Sequence, residues 1–280
     1  MTQTQFGVMQ GRLGPPEAGR FQSFPRNFWR QEIALARDAG VDYIEWIYDD
    51  FGASANPIST PEGIAELNRL KQQHNIATPA LCGDWFMDFP LIRCTTQERT
   101  QRELFLHELL RKAQQIGAWR IVLPFVDASS LRTEEEKQIV LDVLWRALPA
   151  AKQTGVELHL EADFDPTDFA AFLARISDTR VKVNYDSGNS AGLGYVASEE
   201  FDAYGDRIGS IHIKDRQRLP GGGVATRPLG EGGTDFEDVF SAIRSIGYAG
   251  GFTLQTARGE DGDEVNWIRQ QLNFVRRFWP

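Results

Sequence analysis

Short apolar segments alternate with longer amphipathic segments along all 280 residues, and this alternation restricts the fold more than any other feature. Parallel strands need a crossover between them, so repeated strand–helix alternation predicts a parallel sheet. Eight segments have the length and apolar composition of buried strands: residues 5–10, 41–48, 76–83, 119–126, 156–162, 181–186, 208–214 and 250–256.

The segments between these strands have the features of helices. Apolar side chains recur every three to four positions, for example in residues 97–116, 133–154 and 234–246. Glycine in left-handed backbone is a common helix end. Four connections place a small residue and then a glycine before the next strand: Gly40, Gly117, Gly155 and Gly247.

Eight such strand–helix units close a barrel, and about 250 residues is the usual size of that fold. A doubly wound open sheet is the structural alternative, but no GxGxxG motif follows the first strand. No linker or low-complexity segment divides the chain. We therefore predict an α/β protein with one (β/α)₈ TIM-barrel domain over residues 1–280.

Charge and composition exclude several classes of partner. The formal net charge of −9 disfavours a protein that binds the nucleic-acid backbone, which needs a positive face. The chain shows no signal peptide at its start and no apolar run of the ~18 residues that a membrane span requires. Cys82 and Cys94 form no CxxC pair. These features predict a cytoplasmic protein without nucleic-acid or membrane partners, and they leave a homo-oligomer open.

Polar residues stand where four late strands end, namely Glu161, Asp186, His212 and Gln255. Reactive groups of a barrel lie at this C-terminal face. A lone Glu or His at a strand end is more often a helix cap or a satisfied core residue, but four ligand types in succession favour one divalent metal ion. Two carboxylates, an imidazole and an amide oxygen suit Mn²⁺, Mg²⁺ or Co²⁺, whereas Zn²⁺ prefers more nitrogen or sulfur.

Period-two alternation predicts polar side chains beneath these ligands, inside the barrel. Such a buried polar layer is costly unless its members hydrogen-bond, and the support of metal ligands is one reason to keep it. Each ligand is paired on one face with a second polar residue: Glu161 with His159, Asp186 with Asn184, His212 with Ser210, and Gln255 with Thr253.

The longest irregular stretch, residues 215–233, follows strand seven and combines basic side chains with three consecutive glycines. Glycine-rich backbone and arginine forks suit a phosphate or carboxylate, although a mobile, solvated loop is the alternative. We expect this loop to close over a substrate, with Arg216 or Arg218 at its anionic or hydroxylated end. Arg258, just past strand eight, can add to the same subsite.

At these strand ends the sequence resembles the xylose-isomerase-like TIM-barrel superfamily. Its D-x-G-N, H-I-K-D and L-G-E-G elements occur in the expected order, and the resemblance extends over nearly the whole chain. The superfamily includes sugar-phosphate isomerases and epimerases, ketose 3-epimerases, hydroxypyruvate isomerase and inosose dehydratase. The matching segments are residues 7–12, 40–45, 160–161, 184–189, 211–215 and 229–236.

The resemblance implies roles for individual residues. It makes Glu161, Asp186 and His212 metal ligands, with Glu161 also an acid and base. Asn189 stands where ketose epimerases place a substrate-contacting His, and Arg218 where they place a substrate-contacting Arg. Many members carry a second Glu, both ligand and base, at the position of Gln255. Glutamine still offers a carbonyl oxygen to a metal, but its amide cannot take up a proton.

We therefore predict a metal-dependent isomerase that converts a sugar or sugar phosphate through an enediolate, with Glu161 as the base and Gln255 at the second catalytic position. A single base that acts on one face of the enediolate favours aldose–ketose isomerisation. A second acid, Glu45 or Asp84, would instead support a ketose 3-epimerase, and an inosose-type dehydratase also stays open. The predicted substrate contacts are Glu45, Asn189, Lys214, Arg216, Arg218 and Arg258.

Two functions from other classes fit less well. A sugar-binding barrel without catalysis would use the same polar site and would not exchange substrate protons with solvent. An apurinic-site endonuclease of this fold holds three metals with many histidine ligands, but this chain has only four histidines and a negative net charge.

Overall fold

A computed structural model describes residues 4–259 and 262–280 of the chain. In this part, eight parallel strands form a closed barrel, and two further strands form a separate hairpin. The barrel strands are β1 (Phe6–Met9), β2 (Tyr43–Ile47), β3 (Ala80–Cys82), β4 (Arg120–Phe125), β5 (Glu157–Ala162), β6 (Val181–Asp186), β7 (Ile208–Ile213) and β10 (Phe252–Leu254). The hairpin strands are β8 (Asp215–Arg218) and β9 (Val224–Arg227).

The barrel closes because β1 pairs with both β2 and β10. All other neighbours follow chain order, apart from the hairpin. The predicted (β/α)₈ barrel is therefore confirmed. The register places Asp186 beside His212, and His212 beside Thr253, so the polar residues of β6, β7 and β10 meet at one level.

Helices lie between the strands, as the periodicity predicts. In the described residues they are α1 (Trp29–Ala39), α2 (Pro61–His74), α3 (Trp85–Asp88), α4 (Thr96–Gln115), α5 (Glu134–Thr154), α6 (Pro166–Ala174), α7 (Ser187–Leu193), α8 (Ala197–Tyr204), α9 (Phe236–Ser245) and α10 (Glu264–Arg276). Over these residues, no helix combines the length and the apolar character that a bilayer crossing demands.

Local chemistry sets the helix ends. Helix α4 begins with a capping box, in which the Thr95 hydroxyl accepts from the Glu98 N–H and the Glu98 carboxylate accepts from the Thr95 N–H. The glycines at the predicted helix ends all have positive φ angles, between 64° and 81°. The four predicted glycine stops are therefore confirmed.

Apolar side chains fill the layer between strands and helices, while polar ones occupy part of the barrel interior. The apolar residues that alternate with the predicted ligands all belong to the buried core: Leu158, Leu160, Ile211, Ile213 and Leu254. His159, Asn184, Ser210 and Thr253 are also buried. The predicted polar layer is therefore present, and the hydrogen bonds that stabilise it belong to the site itself.

Residues 215–233, expected to be an irregular loop, contain the antiparallel hairpin of β8 and β9. Asp215 fixes the segment that follows, because its carboxylate accepts from the backbone N–H groups of Gly230, Gly232 and Thr234. The hairpin was not predicted because no regular alternation of apolar and polar residues marks its strands, whose sequences are DRQR and VATR. Both of its strands nevertheless reach the cavity described below, through Arg216 and Thr226.

Candidate metal and substrate site

The imidazole of His212 is wholly buried and is held by a carboxylate behind it. Its Nε2 lies 3.0 Å from Glu45 Oε1, and the other Glu45 oxygen accepts from Thr253 Oγ1 at 2.8 Å. A carboxylate only accepts, so Nε2 carries the hydrogen of this bond. Nδ1 then points toward Glu161, whose Oε2 lies 3.2 Å away without the angle of a hydrogen bond. Among the residues that the structure describes, Nδ1 therefore has no hydrogen-bond partner, and it faces the site.

Glu161, at the end of β5, is oriented by two amide groups. Asn184 donates to Oε2 at 2.9 Å and Asn189 donates to Oε1 at 2.7 Å. The Asn184 carbonyl in turn accepts from Ser210 Oγ at 2.6 Å, and Ser210 lies 2.7 Å from His159 Nδ1. The chain of bonds beneath Glu161 satisfies the buried polar layer and limits rotation of the carboxylate.

Asp186 ends β6 and caps the short helix α7. Its Oδ1 accepts from the backbone N–H groups of Gly188 and Asn189 at 2.9 and 2.8 Å. Its Oδ2 lies 3.4 Å from Lys214 Nζ. A Cβ atom at position 188 would lie 2.7 Å from Lys214 Cγ, so the glycine lets the lysine stem pass. The D-x-G-N motif therefore positions both the carboxylate and the neighbouring ammonium group.

Glu161, Asp186 and His212 each offer one ligand atom to a common point, and these atoms lie within 4.8 Å of one another. The donors are two carboxylate oxygens and an imidazole nitrogen, a set that divalent transition metals accept. His212 Nδ1 is buried and has no hydrogen-bond partner in the part of the chain that the structure describes. These residues therefore fit a divalent cation.

Gln255, the fourth predicted ligand, belongs to a hydrogen-bonded chain of amides. Its Oε1 accepts from Lys214 Nζ at 3.1 Å, and its Nε2 donates to Gln22 Oε1 at 3.0 Å. Gln22 Oε1 also accepts from Arg12 Nη2 at 3.0 Å, while Gln22 Nε2 donates to Asp84 Oδ2 at 2.8 Å. An arginine only donates and a carboxylate only accepts, so both amide orientations are fixed, with Gln255 Oε1 on the lysine side.

A cavity of about 410 Å³ opens beside these groups. Its wall combines carboxylates, amides and cations with a few apolar side chains, which is the surface expected of a site for a small polar molecule. The lining residues that matter for the chemistry are Arg20, Phe21, Gln22, Asp84, Glu161, Asn189, Lys214, Arg216 and Gln255.

The residues predicted as substrate contacts divide into two groups. Asn189, Lys214 and Arg216 line the cavity. Glu45 lies behind His212 and has no exposed surface. The other two do not line the cavity and are bonded to backbone carbonyl groups: Arg218 to those of Gly192 and Leu193, and Arg258 to those of Gly14 and Phe21.

Sequence reasoning missed the contribution of the β1–α1 connection. Arg20, Phe21 and Gln22 come from a stretch without hydrophobic periodicity, so no pattern marked them. Asp84, in the β3–α3 connection, was considered only as an alternative acid. The polar residue directly after a strand is the signal that identifies Asp84.

The buried Glu45–His212 pair has shifted pKa values. Burial acts to raise the pKa of Glu45, but the charge and hydrogen bond of His212 lower it to about 2. Burial acts to lower the pKa of His212, but Glu45 and Glu161 raise it to about 10. The pair is therefore an ion pair at neutral pH.

The sequence profile of the family described as Xylose isomerase-like TIM barrel matches residues 33–278. The L-ribulose-5-phosphate 3-epimerase UlaE of Shigella flexneri serotype 5b is 22% identical over 259 residues, which cover 87% of this chain and 90% of that protein.

Solved structures share the fold at lower identity. The IOLI protein, crystallised with a bound zinc atom, superposes with a TM-score of 0.78 at 16% identity, covering 98% of this chain and 99% of that one. The D-allulose 3-epimerase from Methylomonas sp., solved with D-allulose, gives a TM-score of 0.75 at 18% identity, with 99% and 97% of the two chains covered.

Replacing Glu45 by Gln should destabilise the metal-free protein in a pH-dependent way. The ordinary pKa of Glu is 4.5 and the folded value is about 2, so this stabilisation is present above pH 4.5 and lost as the pH falls through 2. The ordinary pKa of His is 6.5 and the folded value is about 10, so its share is present below pH 6.5 and lost as the pH rises through 10. The difference in unfolding free energy from wild type should be largest between pH 4.5 and 6.5.

Urea unfolding of chelator-treated protein across the pH range measures this difference. Glu108→Gln is the control, because Glu108 pairs with Lys112 one turn along the surface of helix α4, where an ion pair contributes little. A Glu45→Gln deficit that stays constant from acid to alkaline pH would show that the pair is not charged as described.

Proposed function

Because the chain belongs to the xylose isomerase-like TIM-barrel family and is a sugar isomerase or epimerase, we propose that it is a metal-dependent 3-epimerase of a ketose or ketose phosphate. The observation that carries this proposal is the cluster of Glu161, Asp186 and His212 beside a polar cavity. The names of the relatives, a ribulose-phosphate epimerase and an allulose epimerase, favour epimerisation at carbon 3.

Glu161, Asp186 and His212 would hold the ion, with the Gln255 oxygen as a further ligand. A bound divalent cation draws electron density from the carbonyl of the substrate and so acidifies the neighbouring C–H bond. Glu161 is the base that takes this proton. Its amide partners Asn184 and Asn189 keep the carboxylate at the cavity wall, where a carbon next to a carbonyl can reach it.

The electrons of the broken C–H bond move into the carbonyl oxygen, which gives an enediolate. Lys214 can stabilise this negative charge, since its buried ammonium group lies among the oxygens of Asp186, Asn189 and Gln255. If Asp186 and Gln255 held a cation, the ammonium group would be free to donate to a substrate oxygen instead. Lys214 is thus proposed as a substrate contact rather than a structural cation.

A second reaction, aldose–ketose isomerisation, is favoured by Gln255. Its neutral amide cannot return a proton to the opposite face, and a single base serves isomerisation. Both reactions begin with removal of a proton next to the ketose carbonyl, but from different carbons. Isomerisation takes a proton from carbon 1 and returns one to carbon 2, whereas 3-epimerisation takes the proton of carbon 3 and returns one to the opposite face of the same carbon.

Product analysis in D₂O separates the two reactions. Wild-type protein with Mn²⁺ is incubated with L-ribulose 5-phosphate or D-allulose, and the products are examined by NMR. A 3-epimerase yields the C3-inverted ketose with deuterium at carbon 3, and chelation of the metal abolishes the reaction. Aldose formation without inversion would favour isomerisation instead. Full turnover after chelation would contradict metal dependence, and a complete lack of deuterium incorporation would indicate a binding barrel.

Arg216 is the proposed contact for a phosphate group. It lines the cavity, and its buried Nε has no hydrogen-bond partner among the residues described in the structure. Arg20 lines the same cavity from the β1–α1 connection. Neither arginine forms an ion pair with a carboxylate of residues 4–259 or 262–280, and such cations suit a phosphate, which accepts paired hydrogen bonds from arginine.

Arg216→Ala should raise the KM for a phosphorylated ketose about 10- to 100-fold, since a hydrogen bond to a charged group contributes about 1.5–3 kcal/mol. The KM for the same sugar without phosphate should change less. Arg218→Ala is the matched comparison, because this guanidinium is exposed and bonded to helix carbonyl groups. Equal KM values for wild type and Arg216→Ala with the phosphate ester would exclude this contact.

A further inference from the structure

An epimerase with two proton-transfer groups needs a second acid, and Gln255 cannot provide it. Its orientation is fixed, with Nε2 donating to Gln22 and Oε1 accepting from Lys214. If a carboxylate stood at position 255, one of its oxygens would face Gln22 Oε1, also an acceptor. Turning the Gln22 side-chain amide over would remove this repulsion, but it would place Gln22 Oε1 against the Asp84 carboxylate, which is another acceptor. Gln22 therefore accepts a hydrogen bond from an amide at position 255 while it donates one to the carboxylate of Asp84. Residues 255 and 84 stand at opposite ends of this series of hydrogen bonds.

Asp84 lies where a second acid can reach a substrate. It directly follows Gly83 at the end of β3, and it lines the same cavity as Glu161. Its Oδ2 accepts from the Gln22 amide at 2.8 Å and its Oδ1 accepts from Cys82 Sγ at 3.0 Å. Each Asp84 oxygen accepts one hydrogen bond from these donors, so each keeps a further lone pair for a substrate proton.

The remaining carboxylates of the cavity wall are less suited to proton transfer. Asp49 accepts from the backbone N–H groups of Phe24 at 2.9 Å and Gly52 at 2.7 Å, so it holds the local backbone. Asp88 and Asp127 are exposed. Of the cavity-lining carboxylates in the described residues, Asp84 and Glu161 are thus the two that are sheltered and not bonded to backbone of another segment.

The spacing of these two groups leaves room for a substrate. Strands β3 and β5 flank β4, whose end contributes Pro124 and Val126 to the wall between them. Two strand spacings amount to about 10 Å between backbones, and a sugar carbon chain can pass between side chains that extend from both.

The surroundings of Asp84 also suit an acid that gives and takes a proton. Burial raises its pKa, the hydrogen bonds from Gln22 and Cys82 oppose this, and the charges of Asp49 and Glu161 add to it. Burial and the charge of Asp84 also raise the pKa of the Cys82 thiol, which therefore stays a hydrogen-bond donor. A carboxyl group with a raised pKa transfers protons more effectively near neutral pH.

We propose that Asp84 is the second catalytic residue, which transfers the proton on the face of carbon 3 opposite Glu161. Glu161 takes the C3 proton, and the bonding electrons move into the C2 carbonyl oxygen. Protonated Asp84 then gives its proton to the other face of carbon 3 as the carbonyl re-forms. Glu161 ends protonated and Asp84 ionised, and exchange with water restores both. In the reverse direction the two residues change roles. This inference rests on the proposed epimerase function.

Deuterium exchange from each epimer tests the assignment. Asp84→Asn, Glu161→Gln and wild type are loaded with Mn²⁺ and incubated in D₂O with L-ribulose 5-phosphate, or separately with its 3-epimer. Asp84→Asn should lose C3 inversion by about 100-fold or more. It should still exchange the C3 hydrogen of the one epimer that presents this hydrogen to Glu161. Glu161→Gln should show the opposite preference, exchanging only the other epimer.

Asp38→Asn is the matched control, because it removes the same charge from an exposed residue of helix α1 that does not line the cavity, and it should behave like wild type. Asp84→Glu, which restores a carboxyl group, should recover part of the inversion. Retained exchange with one epimer shows that the Asp84→Asn protein is folded and binds substrate. Wild-type inversion in Asp84→Asn, or loss of exchange with the same epimer in both variants, would overturn the role of Asp84 alone. A wild-type protein that inverts neither epimer would overturn the epimerase function itself.

Discussion

The contact between His212 and the buried carboxylate of Glu45 determines how the rest of the site is built. It fixes the hydrogen on Nε2 and turns Nδ1 toward Glu161 and Asp186. A ligand imidazole commonly donates its second N–H to a carboxylate, which sets the ring orientation. Glu45 is wholly buried and lies 3.8 Å from Arg120 as well as 3.0 Å from His212, so removing its carboxylate would leave poorly compensated positive charge inside the barrel.

Hydrogen bonds between side chains of neighbouring strands also hold the other polar groups of the barrel interior. Asn184, Ser210 and His159 form a hydrogen-bonded series under Glu161, and Thr253 donates to Glu45. Each of these side chains comes from a strand rather than a flexible loop, and neighbouring strands hold it in place. Functional groups carried on strands are positioned more exactly than groups on loops. The cavity wall is different, since its amides and cations come mostly from connections and from the hairpin.

Much of the barrel and its ligand cluster was predictable because it depends on periodic patterns. Alternation placed His159, Asn184 and Ser210 on the face of Glu161 and His212, and the structure shows them bonded there. The pairing of Glu45 with His212 joins residues 167 positions apart, and no local pattern reports such a contact. Gln22 was missed for a related reason. It lies in an aperiodic connection, and its importance comes only from the groups on either side of it.

Metal titration of chelator-treated protein tests the central claim most directly, namely that His212, Glu161 and Asp186 form one cation site. Calorimetry with Mn²⁺ should show one ion per chain for wild type and for His74→Ala, a control on helix α2. His212→Ala should bind at least about 10-fold more weakly, since even residues that only support a ligand typically contribute 10–100-fold to metal affinity. Equal affinity and stoichiometry in wild type and His212→Ala would contradict the account.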